Sequence, residues 1–80
     1  MKIDEMKVIG IQKREKDGKV SYTIHGEMLF DEWENGSGFK AVSEWTRIDC
    51  SSLKSGMIIK PFYSKGFKGA AVLSGFDIVS

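Results

Sequence analysis

The sequence predicts one all-β domain over residues 1–80, a small five-stranded barrel, and three observations lead there. Residues 19–30 alternate. Val20, Tyr22, Ile24, Met28 and Phe30 fall on one side with Gly26, and Ser21, Thr23, His25 and Glu27 on the other. A two-residue repeat over that length marks a strand with one buried face and is incompatible with a helix. An Asp17-Gly18 pair stands between two β-prone segments, the strongest short-range hairpin signal available. Glycines fall within and between the apolar runs, where a curved sheet needs its bends.

Taken in order, residues 7–13 form a first strand, apolar at Val8, Ile9 and Ile11, and the turn at 15–18 folds it back onto the second, 19–30. Gly26 inside so long a strand predicts a bulge or sharp bend at that point. Residues 31–38, which include Asn35-Gly36-Ser37-Gly38, form a flexible acidic connection. Residues 39–48 are the third strand, with Phe39, Ala41 and Trp45 on one side and Val42 and Ile48 on the other. Residues 50–56 are too few for a sizeable helix and suit a single turn that packs Leu53 inward.

Residues 57–64 and 70–79 form a final hairpin with Lys65-Gly66-Phe67-Lys68-Gly69 at its tip. Pro61 has no N–H to donate, so the fourth strand is expected to show an open edge or a bulge there. Five short strands, with a long, curved second and third, fit an OB-like (oligonucleotide/oligosaccharide-binding) Greek-key barrel better than an SH3-like barrel of similar composition.

A domain of this size buries only about 60% of its unfolded surface, so its margin of stability is thin. A single cysteine, Cys50, excludes an intrachain disulfide, and the lone His25 leaves no zinc set. A homodimer is the expected source of extra burial. There is no apolar leader and no bilayer-length run, and the thiol is unpaired. These features predict a cytoplasmic protein without membrane contact.

The formal net charge is only +1, yet the charges are segregated along the chain. Between Lys54 and Lys68 there are four lysines and no acid, and between Lys7 and Lys19 five basic residues face Glu15 and Asp17. Between Glu27 and Glu34 there are four acids and no base. Such a distribution places a positive and a negative face on a nearly neutral molecule.

No catalytic constellation is legible. A reactive cysteine needs a basic partner, and Cys50 has only His25, which sits in another strand on its polar side. Asp31, Glu32 and Glu34 lack the spacing of a calcium loop. The expectation is a binding protein, not an enzyme, with no cofactor, metal or small-molecule substrate.

Aromatic and cationic residues interleave on three segments: Arg14, Lys16 and Lys19 leading to Tyr22; Trp45-Thr46-Arg47; and residues 60–68, which hold Lys60, Phe62, Tyr63, Lys65, Phe67 and Lys68. Single-strand binders use this combination, cations along the phosphates and rings against the bases. An aromatic on a β-face is more often core, and Tyr22, Trp45 and Phe62 carry that reading. Tyr63 and Phe67, flanked by lysines near the hairpin tip, are the better candidates for a base-stacking surface.

Three motifs resemble the filamentous-phage gene V type of single-stranded DNA-binding protein and its small relatives in Gram-positive phages and mobile elements. They are Gly18-Lys19-x-x-Tyr22-x-Ile24, Leu53-Lys54-x-Gly56, and Tyr63-x-x-Gly66-Phe67-x-Gly69-x-x-x-Leu73 running into Phe76-Asp77-Ile78-Val79. The similarity covers most of the chain by order of elements. It implies a dimeric five-stranded OB barrel that coats single strands without strong sequence preference. It implicates Phe67 at the hairpin tip, Tyr22 and Ile24 after the first hairpin, and backbone contacts from Arg14, Lys16 and Lys19. The acidic insertion at 27–38 and the low net charge depart from that pattern.

The expected function is single-stranded DNA binding, with RNA as a related ligand, in phage or mobile-element replication or transfer. The alternative is a small protein-interaction module of such an element, using the acidic Trp33 loop or an exposed edge at Pro61.

Overall fold

The structure, a computed structural model, describes residues 1–80 except for the Phe67 side chain. Five strands, β1 (Met6–Lys16), β2 (Lys19–Leu29), β3 (Phe39–Thr46), β4 (Ile58–Lys65) and β5 (Ala71–Ile78), form one antiparallel sheet in the order β3-β2-β1-β4-β5. A single turn of 3-10 type lies at Glu32–Glu34, and Phe67–Gly69 forms a tight turn with Lys68 at φ 60°.

The β1–β2 hairpin closes at the Lys16–Lys19 pair, with Asp17 at φ 53° and Gly18 at φ 75°. Both central residues must be left-handed for a two-residue turn to match the strand twist, and Asp-Gly meets that demand with least strain. Along β2 the predicted alternation is realised. Tyr22, Ile24 and Gly26 are buried, and His25 between them faces solvent.

The expected irregularity at Gly26 lies on its partner strand. Val8 pairs with Gly26 and Gly10 with His25, so Ile9 is the extra residue of a bulge in β1. Gly26 answers a different need: a Cβ there would lie 2.6 Å from Met6 Cγ and 2.8 Å from the Lys7 carbonyl oxygen. It is small because β1 crosses over it.

The ladder between β1 and β4 covers only Met6–Ile59 and Lys7–Ile58 and so ends before Pro61. The β4–β5 ladder shifts register between Phe62 and Tyr63. The interruption expected around Pro61 is present, but Pro61 itself is buried, so an exposed edge at that residue is not available to a partner.

Met6, Val8, Tyr22, Ile24, Cys50, Leu53, Ile59 and Leu73 form the core. Leu53 enters it from the tight turn in which its N–H donates to the Cys50 carbonyl oxygen at 3.0 Å. No backbone ladder joins β3 to β5 among the described residues, so the sheet is open and the expected closed barrel is not formed by strand pairing. The two edges nevertheless meet. Thr46, fully buried, donates from Oγ1 to the Leu73 carbonyl oxygen at 2.8 Å, and its hydroxyl oxygen in turn accepts from the Ile48 N–H at 3.2 Å.

Candidate functional site

The outer face of β1, β2 and β3 follows from the buried parity of β2. Because Tyr22 and Ile24 point inward, Ser21 and Thr23 point outward beside Arg14 and Gln12 of β1, and Thr23 pairs with Trp45 of β3. Trp45 is half exposed. β3 ends at Thr46, and Arg47 just beyond it places its guanidinium carbon 5.5 Å from the Trp45 ring centroid. This distance is within cation–π range.

A surface groove of about 410 Å³ is lined by Trp45, Arg14, Lys16, Lys19 and Arg47, with Asp17 as its one carboxylate. A second, of about 290 Å³, adjoins it and shares Arg14, Ser21 and Trp45. The turn sets Lys16 directly opposite Lys19, a like-charge pairing that costs stability in a hairpin. The fold thus concentrates positive potential against one exposed indole. A polar row continues from there along the same face. His25 Nδ1 and Ser43 Oγ are hydrogen-bonded at 2.9 Å, and His25 Nε2 and Gln12 Oε1 at 3.4 Å.

Of the residues expected from the sequence, Arg14, Lys16 and Lys19 are brought together in this groove. Tyr22 and Ile24 are not at the surface: both lie in the core, and the Tyr22 hydroxyl donates to Asp49 Oδ1 at 3.3 Å. They are corrected from contact residues to packing residues, since the inward side of β2 is the apolar one. Lys60 lies away from the groove, paired with Asp4 at 3.4 Å and 6.0 Å from the Phe62 ring centroid.

Tyr63 is half exposed and its hydroxyl donates to Glu44 Oε1 at 3.3 Å. Partial burial, then the Glu44 charge and this hydrogen bond, push its pKa up to about 12. Lys65 and Lys68 are exposed on the β4–β5 hairpin, Lys68 with φ 60°. The Thr46–Leu73 bond ties that hairpin's stem next to Trp45. The expectation for the Phe67 ring lies outside the described residues.

Sequence reading missed Trp45 and Arg47 as groove residues. Their signal was the aromatic-cation spacing in Trp45-Thr46-Arg47, and what was needed was to know which parity of β3 faces out.

The acidic loop lies at the far end of β2 from the Lys16–Lys19 turn. The strand's 11 residues put roughly 30 Å between them. The loop therefore does not cover the groove of its own chain. It is a built element: Glu34 Oε1 accepts from the Asp31 N–H at 2.8 Å and pairs with Lys40 Nζ at 2.8 Å. The Lys40 hydrogen bond, with the Asp31 N–H second, lowers the Glu34 pKa. Trp33 projects from the loop 79% exposed.

Cys50 is buried, and that burial, with the Asp49 charge, raises the thiol pKa, the opposite of what a nucleophile needs. Among the described residues no group of three or more His, Cys, Asp or Glu could hold a metal ion, and no helix is long and apolar enough to cross a membrane. No protein-family model, curated protein or solved structure matches this chain.

Proposed function

We propose that this chain binds single-stranded DNA with little sequence preference, laying the strand across the outer face of β1–β3. One observation carries the reading: a half-exposed Trp45, backed by Arg47, inside a groove with Arg14, Lys16 and Lys19. Cations that follow phosphates and a ring that stacks on any base make a sequence-tolerant site. The polar row at Gln12, His25 and Ser43 extends the track.

The strand order, with β3 and β5 brought edge to edge at Thr46 and Leu73, supports an OB-like barrel that is open on one side. In OB folds the β2–β3 face and the β1–β2 and β4–β5 loops carry oligonucleotides. Here those same places hold Trp45, the Lys16–Lys19 turn, and the hairpin bearing Lys65 and Lys68. Coating of strands by a homodimer in phage or mobile-element replication rests on the sequence resemblance.

The test is a fluorescence titration of the Trp33→Phe variant, in which Trp45 is the sole indole, with oligo-dT, oligo-U and a duplex of equal length. Saturable quenching by single strands, weakening with salt at a log–log slope of about −0.7 per phosphate contacted, is the expected result. The two single strands distinguish DNA from RNA. No quenching at low salt would sink the reading.

One observation favours a second reading. Trp33 is the most exposed large apolar side chain of the molecule among the described residues, and a protein-interaction module would use it. Partner binding that survives loss of Trp45 and fails on loss of Trp33 would identify that role.

A further inference from the structure

We propose that the Trp33 loop of one molecule docks into the Trp45 groove of another, so that the chain associates head to tail and occludes its own groove. The two surfaces are complementary in charge. The groove presents Arg14, Lys16, Lys19 and Arg47 against a single carboxylate, Asp17. The loop presents Asp31 and Glu32, both exposed, while Glu34 is already neutralised by Lys40.

Their aromatic groups match as well. Trp33 projects from its loop, 79% exposed, and the groove offers an indole with a guanidinium beside it. An indole stacks on an indole or on Arg as readily as a base does. The carboxylates then stand where phosphates would.

Two features of the loop make it a ligand rather than a solvated connection. It is held in shape before binding, by the Glu34 hydrogen bond to the Asp31 N–H and the Lys40 ion pair, so little ordering is paid on docking. Phe30 also lies over Gly36, where any Cβ would fall within 2.3 Å of its ring, so this stretch is packed against its own base. Nor can one chain satisfy itself, because loop and groove sit at opposite ends of β2. The contact must be between copies. It is heterologous, and a joined pair keeps one free groove and one free loop, so the contact propagates instead of closing.

This inference uses the groove assigned above but not the assignment of nucleic acid to it, and its test contains no nucleic acid. Sedimentation velocity is measured over a concentration series at about 10 mM salt, where the Debye length is roughly 30 Å, and at about 1 M, where it is ~3 Å. The expected result is a weight-average mass that rises with concentration at low salt and stops rising at high salt. Trp33→Ala should abolish that rise, and so should Arg14→Glu with Lys19→Glu; all three residues are exposed, and an unchanged circular dichroism spectrum and urea midpoint check that both variants fold.

Mixing the two variants is the decisive arm. One keeps an intact loop and the other an intact groove, so together they form a single capped contact and no longer chain. Their mixture should show a step in mass of one added partner that neither shows alone. Association that persists unchanged in Trp33→Ala would overturn the proposal in favour of a different interface. A mass independent of concentration in the unmodified chain at low salt would overturn it outright.

Discussion

Replacing Thr46 by valine tests how the two edges of the sheet are held. Valine keeps the shape and the β-branch, so packing and strand propensity are nearly unchanged. The hydroxyl is removed, leaving the Leu73 carbonyl without the donor at 2.8 Å and the Ile48 N–H without the acceptor at 3.2 Å. Each stranded group costs about 1–3 kcal/mol when buried. Leu73 is buried and Ile48 only partly so; taking the second near the low end gives a loss of about 2–4 kcal/mol.

Thr46→Ser makes the opposite change, keeping both hydrogen bonds and giving up one buried methyl for roughly 1 kcal/mol. A domain of this size has about 4–12 kcal/mol in total. Valine should therefore lower Tm by roughly 10–30 °C and serine by about 5 °C. Thermal and urea unfolding of the two variants side by side decide the matter. If valine proves as stable as serine, the hydroxyl does not hold β3 to β5 and the account of the curled sheet is wrong.

Four further outcomes are expected. Trp45→Ala should weaken single-strand binding about 5–150-fold, the loss of one stacked base, while Trp45→Phe retains part of it; equal binding by the alanine variant in an anisotropy titration would remove the indole from the site. Arg14→Gln with Lys19→Gln should flatten the log–log salt dependence by about 1.4, two phosphate contacts, read from the same titration at several salt concentrations. Tyr63 is raised to about 12 in the folded chain against about 10 unfolded, so its neutral form is favoured by folding; stability is fully present below pH ~10 and declines as pH rises towards ~12. Tyr63→Phe should remove part of that alkaline decline in urea midpoints. Gly26→Ala forces β1 off β2, because its Cβ would meet Met6 Cγ at 2.6 Å and the Lys7 carbonyl oxygen at 2.8 Å; a loss of about 1–3 kcal/mol is expected, measured by urea unfolding.

Local chemistry was the legible part of this fold. The Asp17-Gly18 turn and the alternation of β2 are dictated by backbone sterics and by one buried face, and both stand where the residues put them. The inward turn at Leu53 was legible for the same reason. What depends on distant strands was not. Gly26 signalled an irregularity, but its cause is the crossing of Met6 and Lys7, so the bulge belongs to Ile9 in the neighbouring strand.

The site divides in the same way. Arg14, Lys16 and Lys19 converge because a two-residue turn makes neighbours of residues close in sequence. Tyr22 and Ile24, taken from a family likeness, share the parity of Gly26 and so had to be core once β1 covered it. In β3 the residues at Phe39, Ala41, Ser43 and Trp45 alternate with Lys40, Val42 and Glu44, and apolar and polar groups occur in both sets. Only the pairing of Thr23 with Trp45 reveals which set faces outward.

The separation of the acidic loop from the cationic turn along β2 also affects how the protein is handled. An isoelectric point near 7.8 suggests a molecule indifferent to ion-exchange media at neutral pH. With its opposite charges gathered at opposite ends, the chain should instead be retained by both kinds of resin at low salt, entering a cation exchanger by the Lys16–Lys19 end and an anion exchanger by the Trp33 end. Its net charge predicts its chromatography poorly, and a purification designed on that number alone would look for it in the wrong fraction.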